Sequence, residues 1–256
     1  MNRFAKLCLI YINQVLIKWG IYFHLRRDVR IINRDGKLLN IGCGSNILAG
    51  FINCDIQSNH YHPTKKSNFV HYDMRKNELP FGDGEVDGIY CSHVLEHIES
   101  WFVKKFFAES LRVLKPGCVL RIVVPDPEFM FAMFHRYPEY FSWHKFYEHD
   151  ASGLHSFVRL LSAAKSNEKD FGLTKKVTQY EYAQIMKVMR TEDFNNDHPE
   201  RHINNWDFER IKKLATDTGF RDVINSKMQG SVSMQLQGAD MDQTHPEMSL
   251  YIDLVK

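Results

Sequence analysis

Lys37-Leu-Leu-Asn-Ile-Gly-Cys-Gly44 is a short apolar run that ends in two glycines around a cysteine. An apolar run of this length, closed by turn residues, reads as a buried strand with a tight turn at its carboxyl end. Glycines at a strand exit let the backbone bend sharply and let a ligand come close. The N–H groups of such a turn can face a carboxylate or a phosphate. Phe51-Ile-Asn-Cys-Asp-Ile56, Asn68-Phe-Val-His-Tyr72, Val86-Asp-Gly-Ile-Tyr-Cys91 and Cys118-Val-Leu-Arg-Ile-Val-Val124 read as four more strands. Ser100 to Leu114 places apolar residues at 102, 103, 106, 107, 111 and 114, which is helical spacing. Ser100 is the expected N-cap and Lys115-Pro116-Gly117 the stop.

After Pro127 the texture changes. Residues 128–160 are rich in aromatics, from Phe129 to Phe157, with His135, His144, His149 and His155 among them, and 162–200 are more polar. The sheet pattern then resumes: Asn205 to Gly219 reads as a helix closed by its glycine, and Phe220–Ile224 and Met248–Val255 as a sixth and seventh strand. The expected fold class is therefore α/β, a mainly parallel sheet with helices on both faces. The expected division is an N-terminal helical segment over 1–35, the sheet domain over 36–125 and 205–256, and an aromatic-rich cap inserted over 126–204. Ligands of such sheets sit beyond the carboxyl ends of the strands. That places the chemistry at 42–46, 55–57, 73–75, 91–97 and 125–127.

Composition bounds the function classes. The chain has 256 residues, 44% apolar and 25% charged, with a net charge of +2. Nothing in it advertises a phosphate-tracking basic groove, so nucleic acid is not an expected partner. The five cysteines are odd in number and form no CxxC pair, which reads as reduced, mostly buried thiols and a cytoplasmic protein, with no cysteine-bound metal. Residues 4–25 are apolar but broken by Asn13, Gln14 and Lys18, too short and polar for a span of ~20 residues. Two readings remain for them: a helix packed on the domain or on a second subunit of a homodimer, or an interfacial helix touching the inner face of a membrane.

Asp55, at the second strand exit, is placed to accept both hydroxyls of a ribose. Only Ser45 to Gly50 lie between the glycine turn and the second strand. A dinucleotide fold wants a full helix there and its acid about 20 residues downstream, so this spacing disfavours NAD and FAD. Asp73 and Met74 follow the third strand, an acceptor and an apolar group suited to adenine. Ser92-His-Val-Leu-Glu-His-Ile98 follows the fourth. His93, Glu96 and His97 match an HxxEH zinc-hydrolase pattern, but at a sheet exit rather than on a long zinc helix.

Taken together, Leu39–Gly44, Asn53-Cys-Asp55, Asp73-Met74, Leu79-Pro-Phe81 with Asp83, Val86–Ile98 and Leu111-Arg-Val-Leu-Lys-Pro-Gly117 closely resemble a class I S-adenosylmethionine-dependent methyltransferase of the type-11 branch. The resemblance implies a Rossmann-like seven-stranded sheet whose last strand is antiparallel. It implies S-adenosylmethionine as cofactor and S-adenosylhomocysteine as product. Gly42 and Gly44, with backbone around Asn40 and Cys43, would line the methionine end; Asp55 would hold the ribose and Ile56 flank adenine. Asp73 and Met74 would bind adenine, and Ser92 and His93 would border the sulfonium. Asn40 departs from the acid that many relatives carry.

A hydroxyl or amine acceptor must lose a proton near the transition state, which favours a histidine base. His93, His144, His149, His155 and His202 are candidates, with Asp126 beside the fifth strand exit. The expected reaction is O-methylation of a sugar, a surface-glycan precursor or a small hydroxylated metabolite. N-methylation, RNA methylation, an inactive methyltransferase-like scaffold and a zinc hydrolase are the alternatives.

Overall fold

The computed structural model describes residues 35–56, 68–136, 194, 199 and 201–256. Seven strands form one sheet: β1 Leu38–Ile41, β2 Ile52–Asp55, β3 Phe69–His71, β4 Gly88–Ser92, β5 Val119–Pro125, β6 Asp222–Asn225 and β7 Ser249–Val255. Their order is β3-β2-β1-β4-β5-β7-β6. β1 pairs in parallel with both β2 and β4, so the order reverses around it, and its carboxyl end is the topological switch point. β7 runs antiparallel to β5 and β6, as the resemblance implied. All four residues of β1 and all seven of β7 are buried, which is why these strands read as mainly apolar runs, interrupted only by Asn40 in β1 and by Ser249 and Asp253 in β7.

Three helices are described: α1 Ser100–Val113, α2 Pro127–Arg136 and α3 Phe208–Thr218. α1 buries Val103, Phe106, Phe107, Ser110 and Val113, one stripe at helical spacing. Ser100 is not its N-cap. Glu99 holds that position without a capping bond, because the Ser100 hydroxyl is taken by Asn204 Nδ2 at 3.1 Å and Arg210 Nη2 at 2.6 Å. α3 begins three residues later than the spacing predicts, where the Asp207 carboxylate accepts the Arg210 N–H at 2.8 Å. Gly219 ends it at φ +113°. Asn205 and Trp206, expected in its first turn, are instead buried in a segment tied to the β4 exit: Trp206 Nε1 donates to the Leu95 carbonyl, and Nδ2 of the preceding Asn204 to that of Ile98.

Alternate residues of each strand feed two cores. Leu39, Ile41, Ile89, Cys91, Leu120, Ile122, Ile252 and Leu254 pack toward α1 and α3. Leu38, Tyr90, Val119, Val123, Tyr251 and Val255 pack on the other face with Leu236 and Met241. Arg121 also lies on that second face, fully buried in the middle of β5. Its Nε and Nη2 donate to Asp242 at 3.3 and 2.6 Å, and its Nη1 to Asp253 at 2.9 Å. The Lys227 and Gly230 carbonyls take two more of its N–H groups, so the fork is saturated. Asp242 also accepts the Gln229 N–H, and Asp253 that of Val232. One cation thus anchors the whole 226–242 connection to the sheet.

No helix of the described residues is long and apolar enough to cross a membrane. The readings for residues 4–25 lie outside the described residues. Arg121→Met leaves Asp242 and Asp253 buried without their cation, and is expected to cost about 3–5 kcal/mol. Urea unfolding checks this: the midpoint falls in the variant, whereas an unchanged midpoint contradicts the account.

Candidate functional site

The turn after β1 is built from its neighbours. Gly42 and Gly44 have φ of +66° and +50°, a region that side chains rarely adopt. A Cβ on Gly42 would also lie 2.2 Å from Val94 Cγ2, so the β4 exit packs directly into the space a side chain would need. The Gly42 and Cys43 N–H groups both donate to the Cys54 carbonyl, at 2.8 and 3.2 Å. The Gly44 N–H donates to Asp55 Oδ2. Behind the turn, Asn40 and Asn53 stand side by side in the β1–β2 register. Asn40 Nδ2 donates to Asn53 Oδ1 at 2.8 Å and to the Asn46 carbonyl at 2.9 Å, and Asn53 bonds both the N–H and the carbonyl of Leu48. These two buried amides hold the short connection shut.

A cavity of about 250 Å³ opens over this turn. Asn40, Gly42, Cys43, Gly44, Asp55, Ile56, Asp73, Met74, Ser92 and His93 all line it, so one cavity brings together every residue expected around the cofactor. Four of the five strand exits contribute. The β5 exit does not: the Asp126 N–H donates to the Met248 carbonyl and its carboxylate accepts the Phe129 N–H at 2.9 Å, capping α2. His144, His149 and His155 lie outside the described residues. His202 sits beside His97, their rings 4.8 Å apart and nearly perpendicular.

Electrostatics sort the acids. Burial raises the Asp55 pKa above the usual carboxylate value, against the opposing N–H bonds from Gly44 and Ile56. Burial acts in the same direction on Asp73, but Arg75 outweighs it and holds that carboxylate low. Arg75 grips Asp73 with two bonds, Nε to Oδ1 at 3.0 Å and Nη2 to Oδ2 at 2.8 Å. The Phe194 ring lies over the same guanidinium at 3.6 Å. Spacing alone marks position 75 as a strand exit, but it gives no sign of the Arg75 grip or of Phe194 beside it. The Cys43 and Cys54 thiols are pushed up to about 12 by burial, which leaves them unreactive. Among the described cysteines, Cys43, Cys54, Cys91 and Cys118 are free.

His93 has φ +54° and both its ring nitrogens are engaged. Nδ1 lies 3.0 Å from Glu96 Oε1, and Nε2 lies 3.0 Å from the buried Ser249 hydroxyl at the start of β7. Glu96 is 1% exposed. Burial would raise its pKa, but the hydrogen bond and charge of His93, then His97 and His202, hold it well below the carboxylate range.

The donor set discriminates between cofactors. A phosphate needs unspent N–H groups, and Gly42, Cys43 and Gly44 have spent theirs within the turn. S-adenosylmethionine carries no phosphate, and its single carboxylate asks for fewer backbone donors than a diphosphate does. The two oxygens of Asp55 carry more lone pairs than the Gly44 and Ile56 N–H groups use, and these would take the ribose hydroxyls. The residues present fit S-adenosylmethionine. Replacing Asp55 by Ala is expected to weaken S-adenosylhomocysteine binding by ~1.5–3 kcal/mol. Calorimetry checks it, and unchanged affinity refutes the role of Asp55.

Residues 39–122 match the type-11 family described as "Methyltransferase domain". A search of curated proteins returns no match. Among solved structures, the chain is similar to a SAM-dependent methyltransferase from Archaeoglobus fulgidus, with 14% identity, 96% of this chain and 93% of that one covered, and a TM-score of 0.43. It is also similar to a SAM-dependent methyltransferase from Methanosarcina mazei, with 17% identity, coverage of 88% and 94%, and a TM-score of 0.43. Residues 39–122 thus carry a likeness to a methyltransferase domain, and the cavity that their strand exits line fits S-adenosylmethionine.

Proposed function

We propose that this domain methylates a hydroxyl of a small acceptor, a sugar, a surface-glycan precursor or another hydroxylated metabolite. One observation carries the reading. The β4 exit sets Ser92, His93 and His97 into the cavity wall, and the only lysine or arginine among the described lining residues, Arg75, is consumed by Asp73. Hydrogen-bonding side chains with no lysine or arginine to spare suit a hydroxylated ligand. A polyanionic acceptor such as RNA would call for cations with charge to spare.

When bound, the cofactor supplies an activated methyl group, and the protein's part is alignment, exclusion of water and handling of one proton. In this reading His93 takes the proton. Glu96 holds its Nδ1 side, so Nε2 is the atom that receives it. Ser249 contacts Nε2 at 3.0 Å, and that contact must yield to the acceptor. Apo geometry of this kind is compatible with a general base, whose bonds tighten only with substrate present.

The test is a transfer assay over sugars, nucleotide-sugars, small phenols, primary amines and RNA, read by product mass and by release of S-adenosylhomocysteine. The reading expects mass gain confined to hydroxylated small molecules. Transfer to amines or RNA, with none to hydroxyl acceptors, overturns it.

A further inference from the structure

The methyl-transfer account uses one oxygen of Glu96 and leaves the other unexplained. Oε1 faces His93, whereas Oε2 meets no hydrogen-bond partner among the described residues. A buried carboxylate with an unmet oxygen is costly unless something positive approaches it. Two imidazoles are at hand. Glu96, His97 and His202 each offer a ligand atom, and these atoms all lie within 4.8 Å of one another.

We propose that Glu96, His97 and His202 form a binding site for a zinc-class divalent cation in the wall of the cofactor cavity. His97 Nδ1 lies 2.9 Å from the Arg201 carbonyl. A proton shared there leaves the lone pair on Nε2, and a second ring nitrogen bonded to a backbone carbonyl is the usual support of a metal-bound histidine. The two segments that carry the ligands are fastened to each other. The Ile203 and Asn204 N–H groups donate to the Glu96 carbonyl at 2.8 and 3.0 Å, and Trp206 Nε1 donates to Leu95 at 2.9 Å. The segment that carries His202 is therefore held against the 3-10 turn Leu95–His97.

The donor set selects the ion. Two imidazoles and a carboxylate suit zinc and its first-row neighbours, while magnesium and calcium prefer oxygen alone. Three protein ligands leave a fourth position open, as in catalytic zinc sites. His97 also lines the cavity, so the ion would adjoin the acceptor side. Holding and acidifying the acceptor hydroxyl is the use such an ion would have there, and that use rests on the O-methylation reading; the site itself does not. The arrangement differs from the HxxEH pattern, because His93 is turned toward Ser249 and the third ligand, His202, comes from a distant segment, pinned beside His97 by the contact between His97 and the neighbouring Arg201 carbonyl.

The test uses the full, untagged chain, stripped with chelator and titrated with zinc chloride alone by calorimetry. Metal content is measured after gel filtration. The expected result is one retained equivalent, with at least tenfold weaker binding in His202→Ala and Glu96→Gln and no change in the distant His135→Ala. His202→Gln, checked by its melting curve, stands in if the alanine variant does not fold. Wild-type protein that retains no zinc overturns the proposal, as does equal retention by wild type and His202→Ala. S-adenosylhomocysteine is titrated into the stripped protein in parallel. Nucleoside binding without zinc retention sinks the metal site alone, and loss of nucleoside binding sinks the cofactor assignment instead.

Discussion

The site depends on one carbonyl. Cys54 accepts the N–H groups of both Gly42 and Cys43, and the next residue, Asp55, accepts that of Gly44. The exit of β1 is thereby fastened to the exit of β2. Val94 fills the volume that a side chain on Gly42 would occupy, which brings in the exit of β4. Three strand ends converge because the first has no side chain and no spare donors. The same economy sets the ligand class. A turn that has spent its N–H groups is a poor cradle for a diphosphate, and a nucleoside without phosphates asks less of it.

The antiparallel last strand contributes more than a closed sheet. Ser249 pairs with Pro125 at the β5 exit and points its hydroxyl at His93. β7 is in turn held by Asp253, whose partner Arg121 fastens the 226–242 connection through Asp242. The buried ion triad therefore helps to fix the strand whose first residue, Ser249, meets His93. Removing one member of such a network costs more than its pairwise contacts, because the remaining charges stay buried.

Most of the sheet was legible because strands buried on both faces are continuous apolar runs between turn residues. Strand ends moved by a residue or two, as with Lys37, Phe51 and Val86, which fall just outside β1, β2 and β4. What sequence could not carry were competitions across long separations. Ser100 has the chemistry of an N-cap, yet Arg210, 110 residues away, takes its hydroxyl. Arg121 hides inside an apolar run because its counter-charges, Asp242 and Asp253, are more than a hundred residues on. The cofactor residues were legible as a set, since each sits at a strand exit and one cavity unites them. Arg75 was visible beside Asp73, but its bidentate grip and its stacking with Phe194 belong to the folded loop.

The central claim is that the spent turn at 42–44, with Asp55, selects an S-adenosyl amino acid over a dinucleotide. The most direct measurement is calorimetric titration of the wild-type chain with S-adenosylhomocysteine, and separately with NAD. The account predicts a dissociation constant in roughly the micromolar range for the first and no measurable heat for the second. Binding of NAD with none of S-adenosylhomocysteine would contradict it.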